Sequence, residues 1–222
     1  MKKNNNSLLI FDCDGVLVDS EPLANRIFIQ CLQNEGFEVD EAYAAKHFHG
    51  ISTRDCIAHV EALFKRKVSG RFAETYAHLT HEEIRNTLKP VPHIEEALAV
   101  LSFQKCVASG SEPDKIALSL EVTGLKKYFT HIYSSLQVPR GKPYPDIFLF
   151  AARELKFAPE QCIVIEDSTP GVQAALQAGM TVLWYKPIPE NEAAIPEKVT
   201  AFADMADLPA ILSGILKNAH PQ

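Results

Sequence analysis

SLLIFDCDGVLVDSEPL, residues 7–23, runs a strand-length apolar segment straight into aspartates at 12, 14 and 19. Residues 8–11 are apolar on both faces, the pattern of a strand covered by helices on either side of a parallel sheet. The apolar run stops at Asp12, and Asp14-Gly15 reads as a turn. Neighbouring carboxylates repel, and burial raises that cost, unless a cation or a reacting group offsets it. The stretch therefore predicts a core strand whose carboxyl end is built around positive charge that the stretch does not itself supply.

Similar strand-length runs recur as KCVAS (105–109), HIYSS (131–135), CIVIE (162–166) and TVLWY (181–185). Between them PHIEEALAVL, PDKIALSLEV, DIFLFAAREL and PGVQAALQAG have helical periodicity, and Gly124 and Gly179 follow two of them as expected C-caps. Alternating strands and helices predict an α/β fold with a doubly wound, Rossmann-like parallel sheet. Residues 21–88 break the alternation. Leu23, Ile27, Cys31 and Leu32 mark one helical face, Ile57, Val60 and Phe64 another, and a charged helix covers about 72–87. The expected organisation is an α/β core of residues 1–20 and 89–222, with 21–88 inserted as an α-helical cap domain.

A chain of 222 residues, 46% hydrophobic, can bury a full core. Its net charge of −6 and pI near 5.8 give no support for a nucleic-acid or membrane-surface partner. The five cysteines (13, 31, 56, 106 and 162) are odd in number and lack CxxC spacing, which reads as reduced, mostly core-filling thiols. The apolar run after the basic start is too short for a signal peptide, and no stretch is long enough to span a bilayer. A cytoplasmic protein is expected, and nothing in the chain demands more than a monomer.

In open α/β sheets ligands sit beyond the carboxyl ends of the strands. There the sequence places Asp12 and Asp14, then Ser109 with Gly110, then Lys142 in the loop VPRGKPYPD, then Glu166 and Asp167 followed by Ser168. Acids, a hydroxyl and a lysine suit a divalent cation and a phosphoryl group, and hard Mg²⁺ takes such oxygen ligands. Each residue alone also has a plainer reading. Asp-Gly is a common turn, Asp19-Ser20 a helix N-cap, and Lys142 a solvated loop charge.

Taken in order, DCDGVLVDS, VASGS, GKPYPDIF and VIEDSTPGVQAALQAGM resemble the four motifs of the haloacid dehalogenase superfamily. The likeness is greatest to its members with a small helical cap, among them phosphatases of sugar phosphates and β-phosphoglucomutase. The resemblance implies Asp12 as the nucleophile that forms an aspartyl-phosphate and Asp14 as general acid and then base. It implies Mg²⁺ held by Asp12, the backbone carbonyl of Asp14 and Asp167, with Glu166 as ligand or close helper. Ser109 would bind a phosphoryl oxygen beside Gly110, and Lys142 would neutralise developing charge. The substrate would be a small phosphorylated metabolite. Similar mutases carry a histidine where this chain has Ala24, and an arginine where it has Thr53, with Arg54 one place late. One residue on a helix is about 100° of rotation. Both departures point to water as the phosphoryl acceptor and to a hydrolase, with a sugar phosphomutase as the alternative.

Substrate choice is expected in HFHGISTRD (47–55), where Arg54 is a candidate substrate contact, while His47 and His49 fit capping or loop solvation equally well. FKRKVSGR (64–71) reads as a solvated turn, and Cys13 as packing. Two rivals remain. Phospho-receiver domains combine similar residues, but their acidic pair comes first along the chain, whereas Glu166-Asp167 comes last. A non-catalytic phosphometabolite-binding regulatory protein would be expected to have lost a motif residue, and none is missing.

Overall fold

The computed structural model describes residues 7–48, 53–186, 196 and 198–218, so His49 lies outside the described residues. Six strands, β1 (Leu8–Phe11), β2 (Gln104–Ser109), β3 (His131–Ser134), β4 (Cys162–Glu166), β5 (Thr181–Tyr185) and β6 (Val199–Phe202), form one sheet. Their order is β3-β2-β1-β4-β5-β6, and every neighbouring pair is parallel. Among the described residues four helices, α1 (Glu21–Asn34), α2 (Glu41–His47), α3 (Thr53–Phe64) and α4 (Phe72–Thr87), follow β1. Five more, α5 (Ile94–Val100), α6 (Pro113–Val122), α7 (Asp146–Leu155), α8 (Thr169–Gln177) and α9 (Leu208–Asn218), alternate with the remaining strands. No described helix is long and apolar enough to cross a membrane.

The chain divides into two compact units, Met1–Asp19 with Lys89–Gln222, and Ser20–Leu88. In the first, every residue of β1 and β4 is buried, as the two-faced apolar runs require. Leu8, Ile10, Cys106, Ala108, Val164 and Val182 turn one face toward Ile147, Phe148, Ala151, Val172 and Ala175 of α7 and α8. Leu9, Phe11, Val107, Ile163, Ile165 and Leu183 alternate with them and are also buried. Burying a side chain such as Phe148 stabilises by about 1.5–3 kcal/mol, so these layers fix the sheet. Gly124 and Gly179 have φ +71° and +76°, the left-handed turn that ends α6 and α8 as expected. None of the five cysteines forms a disulfide, and all are buried, Cys13 among them.

The chain winds from β1 outward to β3, then returns to lay β4 against the other side of β1. Such a reversal opens a crevice at the carboxyl ends of the two central strands. Phe11 pairs with Ile165 in register, and Asp12 N–H donates to the Ile165 carbonyl at 3.0 Å. Asp12 and Glu166 therefore leave the sheet side by side. The sixth strand was not anticipated from the sequence. VTAF lies at the sheet edge and is only partly buried, so it lacks the continuous apolar signal of the central strands.

In the second unit, no strand occurs among the described residues of 21–88. Leu23, Ile27, Cys31 and Leu32 form the buried face of α1 together with Phe28 and Ile29. Phe28 meets Phe72 and Tyr76 of α4 edge-on, with ring centroids 5.6 and 5.7 Å apart. Ser20 occupies the N-cap of α1, yet its side chain makes no capping bond. Asp40 does cap α2, accepting from Tyr43 N–H at 2.7 Å. Segment 64–71 is more than a solvated turn. Arg66 lies 4.0 Å over the Phe37 ring, Lys67 pairs with Glu61 at 2.5 Å, and Glu35 accepts from Ser69 N–H at 2.8 Å.

Candidate active site

At the exit of β1 the Asp12 side chain is nearly out of solvent, and Lys142 Nζ lies 2.6 Å from its Oδ1. The same ammonium reaches Glu166 Oε1 at 2.5 Å, and Glu166 is fully buried. Its other oxygen accepts from Ser168 N–H at 2.7 Å and from Ser168 Oγ at 2.9 Å. Ser168 Oγ in turn accepts from Gly171 N–H at 3.1 Å, capping α8. A Cβ on Gly171 would overlap the Glu166 carboxylate, so the glycine is what lets α8 start against a buried acid. Lys142 is therefore no solvated loop charge. It lies 5.1 Å over the Phe148 ring, and its loop is braced where Arg140 bonds both Asp146 oxygens at 3.1 and 2.8 Å.

Asp167 completes the group. Oxygens of Asp12, Glu166 and Asp167 lie within 4.8 Å of one another. The Asp167 carbonyl accepts from Trp184 Nε1 at 2.7 Å. Its carboxylate lies against Gly15, whose φ is +75° and where a Cβ would overlap it.

Burial pushes the Asp12 carboxyl up to about 7, with Glu166 and Asp14 adding repulsion against the pull of Lys142. Burial also favours the neutral Lys142 amine, yet Asp12 and Glu166 hold it charged, above the ordinary lysine value. One ammonium serving two buried carboxylates leaves the group short of positive charge. Asp12 and Glu166 share the Lys142 ammonium, and Asp14 pairs with Lys115. Carboxylate oxygens at this spacing fit a hard divalent cation such as Mg²⁺.

Asp14 stands beside this cluster. Its Oδ2 accepts from Ser111 Oγ at 2.5 Å, and its Oδ1 pairs with Lys115 Nζ at 2.8 Å. Sequence reasoning missed both partners. Ser111 closes the VASGS motif and Lys115 follows four residues on, but nothing local says which acid they face. Ser109 is buried and its Oγ accepts from Ser111 N–H at 3.1 Å, which leaves its own hydrogen as a donor. The Gly110 carbonyl accepts from Ser135 Oγ at 2.9 Å, and a Cβ on Gly110 would meet nothing within 4 Å. Arg54 lies in the first turn of α3, exposed, in the helical unit. His47 stacks on Tyr43 with ring centroids 4.3 Å apart, and Tyr43 Oη lies 2.8 Å from His59 Nε2. An aromatic stack thus accounts for a histidine that the sequence left between capping and solvation.

An acid at each central strand end and a lysine bridging them at the reversal of strand order make a site suited to a cation and an anionic ligand. The profile of haloacid dehalogenase-like hydrolases matches residues 9–185, and the chain belongs to that family. Among its curated relatives is "6-phosphogluconate phosphatase" of Escherichia coli K12, 28% identical, the alignment covering 91% of this chain and 93% of the relative. "Phosphorylated carbohydrates phosphatase" of Thermotoga maritima is 32% identical over 78% of this chain and 81% of its own. The solved structure of a conserved haloacid dehalogenase-like protein of unknown function from Agrobacterium tumefaciens superposes with a TM-score of 0.80 at 30% identity, covering 95% of this chain and 99% of that one.

Proposed function

We propose that the chain is a Mg²⁺-dependent phosphatase of a small phosphorylated metabolite, a sugar phosphate or related phosphomonoester, working through an aspartyl-phosphate on Asp12. The observation that carries this reading is the buried Asp12 carboxylate, fixed by Lys142 at 2.6 Å beside Glu166 and Asp167 at the strand-order reversal. An Asp12 oxygen attacks phosphorus and the bond from phosphorus to the ester oxygen breaks. Asp14 gives its proton to the departing oxygen. Water then attacks the same phosphorus, its proton goes to Asp14, and the bond to Asp12 breaks. Phosphate leaves with Asp12 ionised and Asp14 protonated, as at the start.

Lys142 opposes the charge spread over the phosphoryl oxygens, and Ser109 donates its hydroxyl to one of them. Mg²⁺, held by Asp12, Asp167 and the Asp14 carbonyl with Glu166 alongside, would supply further positive charge where Asp12 must approach an anionic phosphorus ester. The phosphatase names of the relatives support hydrolysis, as do Ala24 and Thr53. Residues 21–88 then act as the cap that selects the leaving group, with Arg54 as a substrate contact.

A screen of phosphorylated metabolites with Mg²⁺, scoring free phosphate and isomerised sugar phosphate together, tests the reading. Metal-dependent phosphate release is expected, and Asp12→Asn should lower it about a thousandfold or more with the fold retained. Isomerised product in place of phosphate would overturn hydrolysis. Release that survives Asp12→Asn would overturn the nucleophile.

A further inference from the structure

The Asp14 carboxylate is held at two points, one on each oxygen. Ser111 Oγ donates to Oδ2 at 2.5 Å and Lys115 Nζ to Oδ1 at 2.8 Å, and Lys115 Nζ also donates to Ser111 Oγ at 3.1 Å, closing a triangle. Ser111 is itself fixed. Its N–H donates to Ser109 Oγ at 3.1 Å, and its carbonyl accepts from Ser134 Oγ at 2.6 Å. Lys115 comes from the first turn of α6, which Pro113 opens. Asp14 is thus tied through Ser111 to the ends of β2 and β3, and through Lys115 to α6. The side chains of Lys115 and Asp14 are 23% and 26% exposed, so solvent screens the pair only in part.

We propose that Lys115 and Ser111 are positioning residues for Asp14, setting the direction in which its carboxyl group meets the ester oxygen and then the attacking water. The inference rests on the reading of Asp14 as the acid and base. Proton transfer needs heavy atoms within about 3 Å, and a misplacement of about 1 Å costs on the order of a hundredfold in rate. Two donors on two different oxygens stop the carboxyl group from turning about its own axis, which a single partner would not. An ion pair that merely fastened α6 to the loop after β1 would not need Ser111 in the same triangle.

The test compares leaving groups in the full-length protein with Mg²⁺. Single-turnover release is followed from 4-nitrophenyl phosphate, whose phenolate departs without a proton, and from the alkyl phosphate the parent protein cleaves fastest. Asp14→Asn should slow the alkyl ester far more than the aryl ester. Lys115→Met should do the same to a smaller degree, about 10–100-fold on the alkyl ester, with half-saturation unchanged. Ser111→Ala should follow it, and Ser111→Thr, which keeps the hydroxyl, should recover most of the loss. An Asp14→Asn variant that splits the two esters while Lys115→Met and Ser111→Ala do not would overturn the inference and leave the catalytic reading standing. Equal losses on both esters in Lys115→Met would assign it to structure alone and also overturn the inference. If Asp14→Asn itself shows no split, the acid–base role of Asp14 falls, and the inference falls with it.

Discussion

Lys142 holds a positive charge where burial opposes it, because Asp12 and Glu166 on either side oppose its loss more strongly. Glu166 shows how much a single side chain can organise. One oxygen holds the lysine while the other holds Ser168, which caps α8. Gly15 shows the converse, a position defined by the side chain it lacks. With φ +75° and Asp167 occupying the place of a Cβ, Gly15→Ala should cost about 1–2 kcal/mol from the left-handed backbone alone, and more from displacing Asp167. Denaturant unfolding should show the first loss, and a Mg²⁺ titration of the variant should show weakened binding. At this scale Asp12, Lys142 and the pair Glu166-Asp167 were legible, because each sits where an apolar strand or loop motif ends. Ser111, Lys115 and Trp184 were not, because their importance lies in partners 97, 101 and 17 residues away in the chain.

Elements show the same division. The helices α6 and α7 were legible at full length, since their periodicity and first-turn proline or acid agree. β6 was not, since an edge strand buries too little to carry a run of apolar residues. A contact between α5 and the segment after β6 adds a pH dependence of its own. His93, at the N-cap of α5, lies 2.7 Å from Asp204 through Nδ1. The hydrogen bond His93 donates to Asp204, and then the charge of Asp204, raise His93 above 6.5. Ala206 N–H and then His93 hold Asp204 below 3.8. The contribution of the pair is therefore complete between pH about 4 and about 6.5. It fades as pH rises through the raised value of His93, and as pH falls through the lowered value of Asp204. Thermal unfolding of His93→Gln should trail the parent protein most near pH 5.5–6, with the gap closing by pH 9. A gap constant with pH would overturn the pH dependence assigned to this pair.

Over the whole molecule, the net charge of −6 repels anions, so attraction for a phosphate ester must come from local groups such as Lys142 and a bound cation. On the proposed reading, metal binding would be linked to folding as well as to catalysis. Without a cation, Asp12 at about 7 binds its proton more tightly folded than unfolded. Its contribution to stability is complete below pH about 4 and is lost as pH rises through about 7. Mg²⁺ bound there would compete with that proton, so its stabilising effect should be large at pH 8 and small at pH 5.5. At a concentration of 100 times Kd the rise in Tm at pH 8 should be about 5–10 °C. Asp12→Asn should remove most of the difference between the two pH values, as scanning calorimetry would show.

The sequence by itself determined the alternation of buried strands with amphipathic helices, the helical insertion after β1 and the four strand ends that carry acids, a hydroxyl and a lysine. These are properties of local pattern, fixed by how side chains repeat along a strand or a helix. Only the tertiary structure decided that β4 lies beside β1, that Lys142 stands between Asp12 and Glu166, and that Ser111 and Lys115 grip Asp14. Contacts between residues a hundred positions apart depend on strand order and register, which the whole sheet settles when it packs and which no short stretch encodes.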